Sequence, residues 1–193
     1  MSKQRFLLHT CCAPCSIAII DELKSTYDLT VFFYNPNIHP EEEYLKRKKE
    51  VVRVCKEWNV PMVDMDYEVE KWHSETKGLE NEPEGGARCA KCFAMRLKYA
   101  AQYAAENNFD MYSTSLTSGR NKKADIICPL GESFGKKYGV EFHCEDWKKG
   151  GRPTSAKATV GKQESRQEKA ARLINERGIY RQDYCGCVYS KYI

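Results

Sequence analysis

The sequence contains no hydrophobic run long enough to cross a membrane, no internal repeat and no low-complexity tract. Residues 1–5 lead directly into the first predicted strand, without the apolar region that a secretory signal requires. A membrane-spanning helix needs about 20 mainly apolar residues, and no stretch of this chain reaches that length. We therefore expect a cytoplasmic protein that has no membrane partner.

A glycine-rich phosphate-binding turn is also missing from the place where an ATP-using α/β enzyme has one. That place is directly behind the first strand, which the apolar residues 6–8 predict. The turn that follows this strand reads Cys11-Cys12-Ala13-Pro14-Cys15. We therefore expect no nucleotide phosphate to bind at this turn.

Cysteine is the residue type that stands out, with ten in a chain of 193 residues. A chain of this length buries enough apolar surface to be stable without disulfides, and we expect one α/β domain over residues 1–193. Cytoplasmic thiols are kept reduced, so the number of cysteines indicates metal binding or redox catalysis.

Strands and helices are predicted to alternate along most of the chain. Short β-branched and aromatic runs indicate strands, and apolar residues that recur every three or four positions indicate helices. After residues 6–8, the predicted strands are 29–34, 60–67, 110–115 and 140–143, and the predicted helices are 16–26, 41–58, 89–107, 122–138 and 155–177. This alternation is typical of a Rossmann-like α/β fold, with a mainly parallel sheet of about five strands flanked by helices.

Seven of the ten cysteines fall into three tight groups. The groups are Cys11, Cys12 and Cys15; Cys89 and Cys92; and Cys185 and Cys187. The first group follows a strand, the second begins a predicted helix, and the third is separated by one glycine, so each can present its sulfur atoms to one centre. We predict a metal site built from these thiols. The isolated residues Cys55, Cys128 and Cys144 are interpreted as core residues or as residues without a role in the site.

Seven thiols are more than one metal centre needs. One structural zinc ion or one iron–sulfur cluster takes about four protein ligands. The excess leaves two possibilities, either two metal centres that share the site or one centre that is joined by catalytic thiols. Both possibilities favour redox chemistry over a structural zinc site.

Polar residues follow the other predicted strands at the same edge of the sheet, where ligands bind in α/β proteins. Tyr34 and Asn35 follow the second strand, and Asp66 lies at the end of the third. We predict these three side chains, together with Cys11 and Cys12, as catalytic candidates. His9 is either a donor to the thiols or a half-buried histidine of the strand. We expect Arg47 and Arg96 to be solvated, with a phosphate contact as the alternative for either.

Positive charge is concentrated near the end of the chain. The net charge is only +4, but residues 148–182 contain ten Lys or Arg residues against three Asp or Glu residues. This basic helical segment is followed by a cysteine-bearing tail, residues 183–193. The uneven charge is consistent with a surface that binds a polyanion, and equally with the solvated face of a helix.

With these groups in place, the sequence resembles the cobalamin-independent epoxyqueuosine reductases, which complete queuosine in tRNA. The resemblance extends from residue 9 to residue 187 and rests on four stretches, which are His9-Thr10-Cys11-Cys12-Ala13-Pro14, residues 34–40 with Glu43-Tyr44, residues 88–93 with Arg96-Leu97, and Tyr180-Arg181-Gln182-Asp183-Tyr184-Cys185-Gly186-Cys187. The resemblance implies a fold like that of the adenine-nucleotide-binding tRNA-thiolating enzymes. It also implies a two-electron deoxygenation of the epoxide on the cyclopentane ring of epoxyqueuosine in tRNA.

The same resemblance implies a [4Fe-4S] cluster with an additional iron nearby. Cys89, Cys92 and one or more members of the first cysteine group would hold the cluster, and Cys185 and Cys187 would help to hold the iron. The implied partners are tRNA carrying epoxyqueuosine, whose base would stack on Tyr34, Tyr67 or Trp72, and an electron donor similar to ferredoxin or flavodoxin. Residues 148–181 would then follow the phosphates of the tRNA.

Two other functions remain open from the sequence. An iron–sulfur tRNA sulfurtransferase would use a similar fold, but it needs ATP and a phosphate-binding turn. A non-catalytic RNA-binding module stabilised by zinc would use the cysteines only for structure.

Overall fold

A five-stranded parallel sheet forms the centre of the computed structural model, which describes residues 2–149 and 164–190. The strands are β1 (Arg5–His9), β2 (Asp28–Phe33), β3 (Met62–Asp64), β4 (Met111–Thr114) and β5 (Glu141–Phe142). The helices are α1 (Ala13–Thr26), α2 (Glu41–Glu57), α3 (Val69–Thr76), α4 (Ala87–Glu106), α5 (Ala124–Tyr138) and α6 (Arg166–Arg177). Short 3₁₀ turns cover Ser115–Ser118 and Val188–Ser190.

The strand order is β3-β2-β1-β4-β5, and every pair is parallel. The apolar residues Phe6, Leu7 and Leu8 fill the central strand β1 and are fully buried, because helices cover both faces of the sheet. The chain builds one side with β2 and β3, then crosses to β4 on the other side of β1. This reversal opens a crevice at the carboxyl ends of β1 and β4. The predicted fold class is confirmed.

Two hydrophobic clusters lie on opposite faces of the sheet. The first contains apolar residues of α1, α2 and α6, including Ile17, Val51 and Leu173. The second contains residues of α3, α4 and α5, including Trp72 and Leu97. No helix in residues 2–149 and 164–190 combines the length and the apolar character that crossing a membrane requires.

The structure corrects the predicted elements in four places. Helix α1 begins at Ala13, because Pro14 occupies the first turn, where a missing N–H costs nothing. Strand β3 has only three residues of the predicted eight. Helix α3 was not predicted, because it is short and only Trp72 and Thr76 are buried on it. Pro129 predicts an interruption of the helix over 122–138, but helix α5 continues through it.

Cys128 and Cys144 form a disulfide that connects α5 to the segment after β5. The prediction that all cysteines are reduced is therefore wrong for this pair. The bridge arises because α5 and β5 are neighbours along the chain and pack against each other, which brings together two cysteines 16 residues apart. Cys55 is a free, buried core residue, as predicted.

Ion pairs with acidic residues neutralise the basic residues of α6. The Arg166 guanidinium donates to both carboxylate oxygens of Glu22 at 2.9 and 3.0 Å, and Lys169 pairs with Asp21. Arg177 pairs with Glu57 at 2.7 Å. Helix α6 therefore docks on α1 and α2, and its face toward them is not a free cationic surface. Residues 150–163 lie outside the described part of the chain, and the division into one domain with a basic segment stays a prediction.

A buried arginine attaches the C-terminal tail to α2. Arg47 Nε donates to Glu43 at 2.7 Å, and the two terminal nitrogens donate to the carbonyls of Cys185 and Tyr184 at 3.0 and 3.1 Å. Tyr180 donates to the second oxygen of Glu43 at 2.8 Å. The expectation that Arg47 is solvated is therefore wrong. Its guanidinium is buried because its N–H groups donate hydrogen bonds to Glu43 and to backbone carbonyls of the tail.

We expect Arg47→Met to lower the free energy of unfolding by about 3–5 kcal/mol, because the Glu43 carboxylate stays buried without its counterion. The control is Arg53→Met, which removes an exposed partner of Glu50 on the same helix and should cost at most about 0.5 kcal/mol. Urea denaturation of both variants measures the difference. Equal losses would show that Arg47 does not stabilise the fold through this contact.

Candidate metal centre

Three thiols gather where β1 turns into α1. The sulfur atoms of Cys11, Cys12 and Cys15 all lie within 4.8 Å of one another, and those of Cys11 and Cys12 are 3.7 Å apart. Cys12 is the N-cap of α1, yet its side chain makes no capping hydrogen bond. The sulfur therefore remains available as a ligand, and the positive end of the helix dipole favours its deprotonated form.

The protonation of these three thiols is linked. Hydrogen bonds from Cys12 and Cys15 hold the pKa of Cys11 well below its usual range, whereas burial raises the pKa of Cys12. Without a metal, Cys11 is therefore the thiol that loses its proton first. Metal binding must displace protons from the others.

The remaining predicted cysteines lie in the same region. Cys92 and Cys187 belong to the hydrophobic cluster that contains Cys11 and Cys12, and Cys89 packs against that cluster. Cys185 acts electrostatically on Cys89 and Cys187. Within the described ranges, however, only the first group forms a set of three or more ligands within 4.8 Å. The assignment of Cys89, Cys92, Cys185 and Cys187 to a metal therefore stays a prediction.

Two of these thiols accept hydrogen bonds from neighbouring N–H groups. Trp72 Nε1 donates to Cys92 at 3.3 Å, and the backbone N–H of Gly85 donates to Cys89 at 3.1 Å. N–H donors of this kind stabilise thiolates and metal-bound sulfur. Trp72 is itself buried, so it cannot stack on a nucleobase as we expected.

Two buried cations lie among the thiols. Arg96 is 1% exposed and Lys122 is 9% exposed, and neither forms an ion pair with a carboxylate in the described part of the chain. Burial alone would lower the pKa of Arg96, but the thiols of Cys92 and Cys11 raise it. The thiols of Cys185, Cys11 and Cys15 likewise raise the pKa of Lys122, which burial alone would lower. The prediction that Arg96 is solvated is therefore wrong.

A buried cation without a counterion is unfavourable, so these two positions require negative charge nearby. Thiolates supply that charge, and a metal centre with several thiolate ligands carries a net negative charge. The donor set is all sulfur, which suits iron–sulfur clusters and zinc. The residues present therefore fit an anionic metal–sulfur centre.

His9 holds neighbouring strands together beneath the site and adds no charge to it. Its ring contacts Thr114 Oγ1 at 2.8 Å and the Tyr34 carbonyl at 3.2 Å, which links β1 to β4 and β2. Burial lowers the pKa of His9 to about 3, so the ring is neutral at physiological pH.

The three other catalytic candidates occupy different environments. Tyr34 is buried, donates to Glu68 at 2.7 Å and stacks on Tyr99, so its ring is not available to a nucleobase. Asn35 donates to the Thr10 carbonyl at 2.9 Å, and its buried Oδ1 has no hydrogen-bond partner among the described residues. Asp66 is exposed on the segment after β3. The structure does not bring it to the thiols, and its catalytic role stays a prediction.

Tyr67, the last residue expected to stack on the base, is half-buried against Tyr44, with ring centroids 4.0 Å apart. Its hydroxyl donates to the carbonyl of Ile38. One face of the Tyr67 ring and its hydroxyl are therefore already in contact with the protein.

Sequence reasoning missed two residues of the site, Gln182 and Lys122. Gln182 Nε2 donates to Cys12 at 2.9 Å and lies 3.6 Å from Cys15, while its Oε1 is buried and has no hydrogen-bond partner within residues 2–149 and 164–190. Its position within the matching stretch 180–187 was the available signal. No signal in the sequence identified Lys122, because a lysine in a polar loop usually points into solvent.

Comparison with known proteins shows which family the chain belongs to. The model of the family described as epoxyqueuosine reductase QueH matches residues 6–192. The chain belongs to the QueH family. A relative from Acinetobacter baylyi, named epoxyqueuosine reductase QueH, is 42% identical over 98% of this chain and 81% of its own length. A QueH relative from Histophilus somni is 40% identical over 96% of this chain and 72% of its own length. A QueH relative from Thermotoga maritima is 34% identical over 95% of this chain and 88% of its own length.

Solved structures share the fold of this QueH family member at low sequence identity. The U34-tRNA thiolase NcsA from Methanococcus maripaludis, solved with its [4Fe-4S] cluster, matches 98% of this chain with a TM-score of 0.57 and 12% identity. The match spans 62% of the thiolase chain. A predicted subunit of a tRNA methyltransferase from Methanocaldococcus jannaschii matches 95% of this chain and 94% of its own, with a TM-score of 0.55 and 10% identity.

We expect Lys122→Met to raise the pKa of Cys11 in the metal-free protein, because a cation that favours the thiolate is removed. Alkylation of Cys11 by iodoacetamide at pH 7 should slow several-fold, measured by mass spectrometry of the peptide. The control is Lys123→Met, which removes an exposed lysine at the next position and should leave the rate unchanged. A Lys122 variant that reacts as fast as its control would exclude this electrostatic role.

Proposed function

We propose that this chain reduces the epoxide of epoxyqueuosine in tRNA and so produces queuosine. The observation that carries the proposal is the set of thiols around two buried cations that have no carboxylate partner in the part of the chain that the structure describes, at the sheet edge of a QueH family member. The reaction consumes two electrons and two protons, breaks both C–O bonds of the epoxide, and yields the alkene and one water molecule. A ferredoxin-like or flavodoxin-like protein would supply the electrons.

The thiol set supports a [4Fe-4S] cluster with an additional iron as the resident cofactors. Cys89 and Cys92, with members of the Cys11–Cys15 group, would hold the cluster, and Cys185 and Cys187 would help to hold the iron. When bound, such a centre supplies electrons one at a time and offers a Lewis acid to the epoxide oxygen. Arg96 and Lys122 would compensate its negative charge, and Gln182 would orient Cys12.

The two alternatives have less support. A tRNA thiolase shares the fold, but the turn behind β1 holds thiols where a phosphate cradle would be needed, and similarity at 12% identity extends to the fold alone. A zinc-stabilised RNA-binding module needs four ligands, and it leaves the remaining thiols and the two buried cations without a role.

The experiment that tests the function is anaerobic reconstitution of the protein, followed by iron and sulfide analysis and turnover. We expect a brown protein with acid-labile sulfide, absorbance that dithionite bleaches, and conversion of epoxyqueuosine in tRNA to queuosine, read by nucleoside mass spectrometry. A colourless protein that contains one zinc ion would overturn the redox function. ATP-dependent incorporation of sulfur would favour the thiolase.

The tRNA would meet cations that have no acidic partner. Arg120 and Lys123 are exposed on the loop between β4 and α5, and neither pairs with a carboxylate in the described ranges. They line a cleft with Gly85 and Gly86, next to Cys89. This surface replaces α6 as the proposed phosphate-binding face, because the arginines of α6 are already paired.

We expect the double variant Arg120→Gln and Lys123→Gln to weaken tRNA binding about tenfold and to reduce the slope of log affinity against log salt by about 1 to 2. Arg172→Gln on α6, whose side chain pairs with Glu164 and Glu176, is the matched control. Filter binding at several salt concentrations measures both quantities. A larger loss of tRNA affinity in Arg172→Gln than in the double variant would show that α6 contacts the phosphates.

A further inference from the structure

Another buried arginine lies among the cysteines, and the proposed function leaves it without a role. Arg88 precedes Cys89 in the first turn of α4 and is 1% exposed. The hydrogen bonds that its side chain forms within residues 2–149 and 164–190 all go to backbone carbonyls, not to a carboxylate. A buried guanidinium is unfavourable unless hydrogen bonds and negative charge compensate it. The contacts of Arg88 therefore indicate what this position requires.

The guanidinium fastens the loop between α3 and α4. Arg88 Nη1 donates to the carbonyls of three loop residues at 3.1, 2.9 and 2.5 Å, which are Leu79, Glu80 and Glu82. The same loop carries Gly85, whose N–H donates to the sulfur of Cys89. Arg88 therefore holds in place a loop that supplies a donor to a predicted metal ligand.

The guanidinium also contacts the tail. Its central carbon lies 5.1 Å from the centre of the Tyr189 ring, and a cation in this position is attracted by the ring electrons. Tyr189 follows Cys187 by two positions, and its ring stacks on that of Trp72, the donor to Cys92. Arg88 thus touches both the segment that carries the cysteine pair of α4 and the tail that carries the last pair.

One donor of the guanidinium is left over. Arg88 Nε is buried and has no hydrogen-bond partner among the described residues. A buried N–H without an acceptor costs free energy, so this position requires an acceptor that those residues do not supply. Burial raises the pKa of the Cys89 and Cys187 thiols, and the charge of Arg88 opposes that rise at both. An anionic sulfur ligand matches both the free donor and the charge.

We propose that Arg88 is a positioning residue that connects the cysteine pair of α4 to the cysteine pair of the tail, and that its Nε–H donates to a sulfur ligand of the metal centre. The inference rests on the proposed function, and it adds the residue that holds the two pairs next to each other. A positive charge and an N–H donor at a sulfur ligand favour the reduced, more negative state of an iron–sulfur cluster. Arg88 therefore raises the reduction potential.

The test compares Arg88→Gln, which removes the charge, with Arg88→Lys, which keeps the charge and can donate to carbonyls but has no second donor in the place of Nε. After anaerobic reconstitution, the midpoint potential is measured by titration with dithionite, followed by the EPR signal of the reduced cluster. We expect the potential to be most negative in Arg88→Gln and intermediate in Arg88→Lys. If Arg88→Gln takes up no iron, Arg88→Lys against the wild type decides.

The matched control is Lys91→Gln, which removes an exposed charge one turn further along the same helix. Solvent and salt screen that charge, so its potential should equal that of the wild type. A wild-type potential in Arg88→Lys would overturn the hydrogen bond from Nε. A wild-type potential in both Arg88 variants would overturn the role of Arg88 at the metal centre.

A second measurement needs no metal. In the metal-free protein, hydrogen exchange of the peptide over residues 79–86 should be about tenfold faster in Arg88→Gln, because hydrogen bonds from a charged donor are lost. Arg88→Lys should remain close to the wild type. Unchanged exchange in Arg88→Gln would overturn the connection through the loop. If the reconstituted wild type contains no acid-labile sulfide while this exchange still depends on Arg88, the proposed function fails together with the bond from Nε, and the connection through the loop stands.

Discussion

The arrangement of this protein depends on the balance of charge around buried thiols. Arg96 and Lys122 lie in the interior, and no carboxylate neutralises either of them in the described part of the chain. Their positions are favourable only if sulfur ligands nearby carry negative charge. This charge balance differs from that of a phosphate-binding turn at the same sheet edge. There, the ligand carries the negative charge, and backbone N–H groups donate hydrogen bonds to it. Here the protein supplies both the anions and the cations.

The fold brings these groups together from distant parts of the chain. The turn after β1 provides three thiols, the first turns of α4 provide two, and the tail provides two more. Parallel strands place the first turn at the crevice, while the tail has no strand of its own and is held by hydrogen bonds to Arg47. His39 N–H also donates to the Gly186 carbonyl at 2.7 Å, so the loop after β2 supports the tail from a second side. The position of Cys185 and Cys187 thus depends on α2 and on that loop as much as on the local sequence.

The sequence allowed the main strands and most helices to be predicted, because buried parallel strands such as β1 are continuous apolar runs and α2 and α4 have clear helical periodicity. It also allowed the seven cysteines to be predicted as one site. Features that depend on tertiary contact were missed. The helix α3 has too few buried residues to show a period. Arg47 and Arg96 look like solvent-exposed arginines until their partners, separated by up to 138 positions, are known. Charge counting could not show that the basic residues of α6 face the acidic residues of α1 and α2.

The attachment of the tail to α2 also bears on how the protein matures. Thiols that lie near one another in the fold are separated by most of the chain, from Cys11 to Cys187, and Arg47 holds the backbone beside the last pair through the carbonyls of Tyr184 and Cys185. During synthesis, the first thiol group and α4 leave the ribosome well before the tail. If the tail thiols are ligands as proposed, a partly made chain offers an incomplete set of sulfur atoms, and insertion of the complete metal centre follows translation rather than accompanying it.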